Sequence, residues 1–323
     1  MPVLLHLRLT VPADRSAAVR DLLDADPGVA HLAVVAGGSL RPSGDLFLVD
    51  VARESADQLI DGLRQLHVDR DGGIAMEAVD AAVSRPAEDA ERSAPGDGSD
   101  AVVWEQVVRS TASDATLSVS YLAFLTIATL LAAIAIVNDS APLVIGAMVL
   151  GPEFGPLAAL AVALVQRRGS MARQALSSLV VGFAVAIAVT TLVALLGRGL
   201  GWFGTDVLVA DRPATGFITQ PDRWSLLVAV LAGIAGVLSL TSARSGALVG
   251  VFISVTTVPA AGEIALALAL GGGPEIREAA TQLAVNLTGI LVAALSTLLL
   301  QKAAWRHVPR IVPRVRQVGR AQV

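Results

Sequence analysis

Two glutamates stand where a water-soluble chain would not put them. Glu153 falls in Gly151-Pro152-Glu153-Phe154-Gly155-Pro156, inside an apolar run over residues 142–160 that holds no other charge. Glu263 follows Pro259 and Gly262 in a second apolar run, 247–270. A carboxylate in such surroundings binds a cation or exchanges a proton. Its charge is costly there, so a functional role is the default expectation. The competing reading is structural: each glutamate lies near an interface or caps a half-helix. The prolines and glycines matter as much as the acids. They interrupt the helical hydrogen-bond ladder, which is tolerated at membrane depth only where protein or a wet cavity satisfies the freed groups. A half-helix that starts there presents N–H groups and a positive dipole end, and one that ends there presents carbonyls. Asn286, in the last apolar run, either bonds between helices or lines the same site.

These residues need a bilayer around them. The chain has 323 residues, 54% of them hydrophobic and 16% charged, with a mean hydropathy of +0.66, too apolar for a soluble chain of this length. Residues 1–100 carry 18 acids and 9 bases, and residues 101–323 carry 10 acids and 15 bases. An acidic soluble part therefore precedes a basic, membrane-embedded one. Six apolar segments are expected, over 116–137, 142–165, 175–196, 224–240, 247–270 and 279–300. The start of the chain lacks the basic and apolar regions of a signal peptide, so the N-terminal part is expected in the cytoplasm. Arg167, Arg168, Arg173, Arg244 and the basic tail then fall inside, and the loops 138–141, 197–223 and 271–278 outside. In the long outer loop three arginines are matched by three aspartates, and Asn138-Asp139-Ser140 reads as a turn capping the second segment.

The second and fifth segments share a plan: a glycine early, a proline midway, then a glutamate and an Ala/Leu-rich half. Each is the middle member of three. Three crossings is an odd number, so the two sets would run in opposite directions, an inverted 3+3 repeat with broken helices in corresponding places. In secondary transporters such interruptions point at the binding site. The candidate pathway is Gly151, Pro152, Glu153, Gly155 and Pro156 from the first break. Pro259, Gly262 and Glu263 come from the second, with Asn286 beside them. The spacings Gly151-xxx-Gly155 and Gly246-xxx-Gly250 suit close helix packing.

Residues 1–85 alternate as strand 3–10, helix 14–25, strands 29–36 and 45–52 around a turn region 37–44, helix 54–66 and strand 74–83. That order, β-α-β-β-α-β, is the ferredoxin-like split arrangement of an α+β domain. His31 and His67 read as lone surface or strand-end histidines. Residues 84–100 read as a flexible tether. Residues 101–112, with Trp104, form an interfacial helix or a cytoplasmic extension of the first membrane helix. The domains are thus 1–85, a linker and interfacial helix over 86–115, a transmembrane domain over 116–300 and a basic tail over 301–323.

Several functions are excluded by pattern. The absence of cysteine removes disulfides and thiolate metal sites. Gly199-x-Gly201-x-x-Gly204 follows an apolar helix rather than a strand, so it is no dinucleotide fingerprint. There is no GxxxxGK, and His6, His31, His67 and His307 all lie outside the apolar segments, which leaves no protease constellation. The basic tail suits a membrane surface rather than nucleic acid.

Residues 142–156, with their IGAM core and doubled Gly-Pro break, resemble the signature of an uncharacterised hydrophobic membrane protein family, domain-of-unknown-function family 389. Residues 238–259 resemble its second block, and Asn286 sits where its last helix usually has Asn. The resemblance covers about 115–300, and the preceding region is similar to that of many members. Two departures stand out: Glu153, where many members have an uncharged residue, and a single Pro259 in place of a proline pair. The resemblance implies no activity.

The expectation is an α-helical integral membrane protein of six crossings behind a ferredoxin-like cytoplasmic domain. It would sit in the plasma (inner) membrane, with both termini cytoplasmic, as a homo-oligomer without cofactors. Its function would be transport or channel-like permeation of a small solute or ion, without enzyme activity. The alternative is a membrane-anchored sensor that does not transport.

Overall fold

The structure is a computed structural model and describes residues 4–79, 81–94, 102–210, 212–216, 223–242 and 257–306. The chain divides into two compact units, one centred on residues 1–107 and the other on residues 108–240 and 245–302.

The first unit is built on a small antiparallel sheet. Its strands β1 (Leu4–Val11), β2 (Val29–Leu40), β3 (Ser43–Ala52) and β4 (Gly73–Val79) lie in the order β2-β3-β1-β4. Helix α1 (Ser16–Asp24) joins β1 to β2, and α2 (Arg53–Gln65) with the one-turn α3 (Val68–Asp71) joins β3 to β4. Each crossover therefore straddles one inserted strand. Alternation sets the core. Leu5, Leu7 and Leu9 of β1 and Phe47, Val49 and Val51 of β3 are buried with Val19 and Leu23 of α1 and Leu59, Ile60 and Leu63 of α2.

Three details differ from the sequence reading. β2 continues to Leu40, because Gly37 adopts a φ of 63° and donates its N–H to Asp45 Oδ1 at 2.8 Å, which carries the strand past an irregularity in its pairing. The turn is left with Arg41-Pro42 alone, and β4 stops at Val79. The tether over 84–100 is in part a helix, α4 (Arg85–Ser93). Ser84 Oγ accepts from the N–H of Ala87, Pro86 sits in the first turn, and Ala87 and Ala90 are buried. Local capping outweighs a composition typical of disorder. His31 is also better connected than a lone histidine. Its Nδ1 lies 3.0 Å from Asp50 Oδ2 and its Nε2 3.1 Å from Ser84 Oγ, while His6 Nδ1 lies 2.6 Å from Asp50 Oδ1. These residues stand side by side on β2, β3 and β1, and among the described residues they form no metal-holding group.

Helix α5 (Trp104–Asp114) is separated from the next helix by residues 115–118, so it is a helix in its own right rather than an extension. Its start is tied to α2: Trp104 donates its N–H to Asp57 Oδ1 at 3.2 Å, Arg64 bonds Glu105 at 2.5 Å, and Val103 belongs to the sheet core.

The second unit is helical throughout. α6 (Val119–Val137) is followed by the bent pair α7 (Ala141–Leu150) and α8 (Phe154–Val165), then α9 (Gly169–Gly199) and the short α10 (Asp206–Val209). α11 (Arg223–Thr241), α12 (Val258–Leu270) and α13 (Gly273–Arg306) complete it. By length and composition α6, α9, α11 and α13 are able to cross a membrane, and the α7–α8 pair, bent by 49°, makes a fifth span if counted as one. α6, α9 and α11 carry Phe124, Val180, Leu192 and Leu231 on the outside, a surface that suits lipid better than water. These are the features of a multi-pass membrane protein. Of the six segments read from the sequence, the fifth is described only from residue 257. Arg244, the Gly246-xxx-Gly250 spacing, most of the stretch 238–259 and the tail beyond 306 lie outside the described residues. The loop expected over 271–278 is shorter, since α13 starts at Gly273.

α8 and α12 differ from the long helices. Pro156 to Ala163 are all buried, and α12 is buried along its length except for Leu268. Glycine permits this. A Cβ on Gly262 would meet Ala133 N at 2.9 Å and Ala132 Cβ at 3.0 Å, so α12 crosses α6 almost backbone to backbone. A Cβ on Gly233 would likewise meet Ile290 O of α13 at 2.5 Å, and one on Gly289 would meet Ala229 Cβ of α11 at 3.3 Å.

Two expectations follow. Burial, with Asp61 nearby, pushes the Asp57 carboxyl up from the ordinary 3.8 to about 6, against the pull of the Trp104 N–H. A raised acid favours the protonated fold, so this group's contribution is present below about pH 4 and is lost as pH rises through about 6. Asp57→Asn flattens that part of the pH profile, read as hydrogen exchange over α2 and the start of α5. Gly262→Ala forces α12 off α6 and destabilises the protein by about 1–3 kcal/mol. Gly169→Ala, where a Cβ meets nothing within 4 Å, leaves thermal unfolding in detergent unchanged.

Candidate functional site

The α7–α8 break begins where the ladder runs out at Gly151-Pro152. α7 ends at Leu150, ten residues or about 15 Å from its start, half the thickness of a hydrocarbon core of about 30 Å. α8 restarts at Phe154 with Pro156 in its first turn, where a missing N–H costs nothing. α12 starts alike, with Pro259 in its first turn.

The two starts meet. Glu153 precedes α8 but makes no side-chain capping bond to it, and Thr257 holds the same position before α12, also without a capping bond. Instead Thr257 Oγ1 donates to Glu153 Oε1 at 2.5 Å, and both residues are 0% exposed. One carboxylate thus sits at the beginning of two half-helices whose positive ends both favour negative charge. The capping reading of Glu153 does not describe this geometry, because the side chain serves the other broken segment. Gly155 lets α8 approach Asp114, whose Cβ would lie 2.8 Å from an added methyl group.

Glu263 is placed differently. It lies six residues beyond Thr257, about 9 Å along α12, and is 1% exposed. Arg212 grips it with both prongs, Nη1 to Oε2 at 2.8 Å and Nη2 to Oε1 at 3.1 Å. The arginine is 10% exposed and comes from the loop 212–216. Asp139 holds the same loop, accepting from Thr215 Oγ1 at 2.8 Å and from the N–H of Ala214 at 3.3 Å. The turn 138–140 therefore does not spend Asp139 on capping α7, and Ser140 makes no capping bond either. Arg198 donates to the carbonyl of Ala269 at 2.8 Å, so a second arginine serves the C-terminal end of α12.

The remaining candidates divide. Pro259 shapes the start of α12, and Gly262 is its packing surface on α6. Asn286 is fully buried on α13, one turn from buried Gln282. Three contributors escape a reading by motif. Thr257 is one hydroxyl among several, and Arg212 looks matched by nearby aspartates. Tyr121, the chain's sole tyrosine, lies at the start of α6 with a buried hydroxyl that has no hydrogen-bond partner among the described residues. It stands against Gly182 and within electrostatic reach of Glu153. A lone tyrosine in an aliphatic helix was the available signal for it.

An uncharacterized protein of Methanocaldococcus jannaschii is 26% identical over 194 residues, covering 60% of this chain. The match spans 58% of that relative's own length. No solved structure matches the chain. Residues 148–292, which hold both breaks, both glutamates, Arg212 and Asn286, match the model of the domain of unknown function DUF389. Over that region, 145 of the 323 residues, the chain is similar to the DUF389 family.

Proposed function

We propose that the protein is a transporter or channel for a small solute or ion, with its pathway at the meeting of the two broken segments. The observation that carries this is the buried hydrogen bond from Thr257 to Glu153. A carboxylate in a bilayer interior costs about 2.5–3.5 kcal/mol by insertion scales, and such groups mark ion and proton pathways. Here the cost is offset by two helix starts and a hydroxyl. A cation or proton arriving at Glu153 competes with Thr257 for the same oxygen, so binding and the contact between half-helices are coupled.

The larger frame is read with it. The shared plan of the breaks supports six crossings in an inverted 3+3 repeat, with the undescribed half of the fifth segment completing a span. The β2-β3-β1-β4 order with straddling crossovers supports a ferredoxin-like fold for the first unit. That unit would regulate or oligomerise the protein in the cytoplasm. The basic loops support a plasma (inner) membrane protein with cytoplasmic termini. No catalytic role is proposed.

Proteoliposomes with an internal pH dye, under imposed sodium or potassium gradients, test this reading. Wild-type protein moves protons or the cation, and Glu153→Gln abolishes that movement while remaining folded. Thr257→Val removes a bond worth about 1–3 kcal/mol to a buried acceptor and slows the flux. Silent wild-type vesicles, with every cellular phenotype lost on deleting residues 1–100, would shift the reading to a membrane-anchored sensor.

A further inference from the structure

We infer that Glu263 is the anionic half of an outer binding site for guanidinium-type cations, and that Arg212 is the chain's own occupant of it. The inference rests on the pathway reading above, because it makes Arg212 the plug of that pathway's outer end. The ligand class comes from the geometry. Glu263 presents both oxygens to one planar fork, at 2.8 and 3.1 Å, the two-pronged pairing that guanidinium makes and ammonium does not.

The partner's origin argues for a displaceable occupant. A buried ion pair rarely outdoes well-packed apolar residues of similar volume as a source of stability. Glu263 is the sole charged residue of α12, whose other residues are small or apolar and mostly buried. Arg212 reaches it from a loop that has no regular hydrogen bonding of its own beyond one short turn. That loop is held on the far side by Asp139 through Thr215 and Ala214. Releasing Glu263 from its two bonds to Arg212 leaves the loop tethered through Asp139.

The approach is also present. A cavity of about 500 Å³, lined in part by Asp206, Leu270, Gly271 and Glu275, opens where α12 ends. Its two acids favour cations. From Leu270 to Glu263 is seven residues, about 10 Å of helix. Arg198 occupies the Ala269 carbonyl on the way, so the chain's own cations cover the negative features of this end of α12.

The test uses full-length protein in detergent and guanidinium chloride at low millimolar concentration, against equal sodium chloride. Arg212→Ala lowers the unfolding temperature, and guanidinium but not sodium restores it. Arg212→Ala combined with Glu263→Gln shows no restoration. Should Arg212→Ala not fold, wild-type protein is read by hydrogen exchange. Guanidinium competes with Arg212 and speeds exchange at the Ala214 N–H, and sodium does not. No restoration in the folded variant, or no change at Ala214 where only wild type folds, overturns the inference and leaves Arg212 a fixed staple. Flux separates the two readings. Glu153-sensitive flux without guanidinium rescue removes only this site. Rescue in protein whose vesicles stay silent keeps the site and removes the pathway.

Discussion

Charge in an apolar interior is the constraint that shapes the second unit. Both glutamates of the broken segments are buried almost to zero exposure, and each has a different answer to the same cost. Glu153 is met by a hydroxyl and two helix starts, which are partial charges fixed in the backbone. Glu263 is met by a whole opposite charge from a loop 51 residues away in sequence. The first answer offers the carboxylate partial charges only, at a hydroxyl and two helix starts. The second leaves it neutralised. This difference gives two residues of the same type different parts to play.

The packing around them serves those answers. Helix α12 can bring Thr257 to Glu153 only by running close against α6, which requires Gly262, and by bonding α9 through Thr191 Oγ1 to the carbonyl of Ala265. The second half of the bent pair, α8, is likewise enclosed, with Lys302 donating to the Val165 carbonyl at its end. Interrupted backbone inside a membrane needs such enclosure. Apolar faces remain outside on the long helices and on α7, where Leu143, Ile145 and Val149 are exposed.

Much of this was legible in the residues. The hydrophobic alternation of β1 and β3 gives their buried faces, and Gly151-Pro152 marks the α7–α8 break, while Gly155-Pro156 lies inside α8. What escaped is long-range. Nothing local to Arg212 points to Glu263, since three aspartates in the same loop offer simpler partners. Thr257 is one of two adjacent threonines before Pro259, and only the fold selects it. The 84–100 stretch misled in the other direction. Its composition reads as disorder, but Ser84 and Pro86 start a helix, and Ala87 and Ala90 give it an apolar edge. Composition averages over a window, and a cap is a single position.

The near-complete enclosure of α12 has a consequence for biosynthesis. Its thirteen described residues make a rod about 20 Å long, with only Leu268 left for lipid. It must be received into a slot already made by α6 and α9, both of which precede it in the chain and are long enough to insert unaided. For α12, the order of synthesis and the order of dependence therefore run the same way.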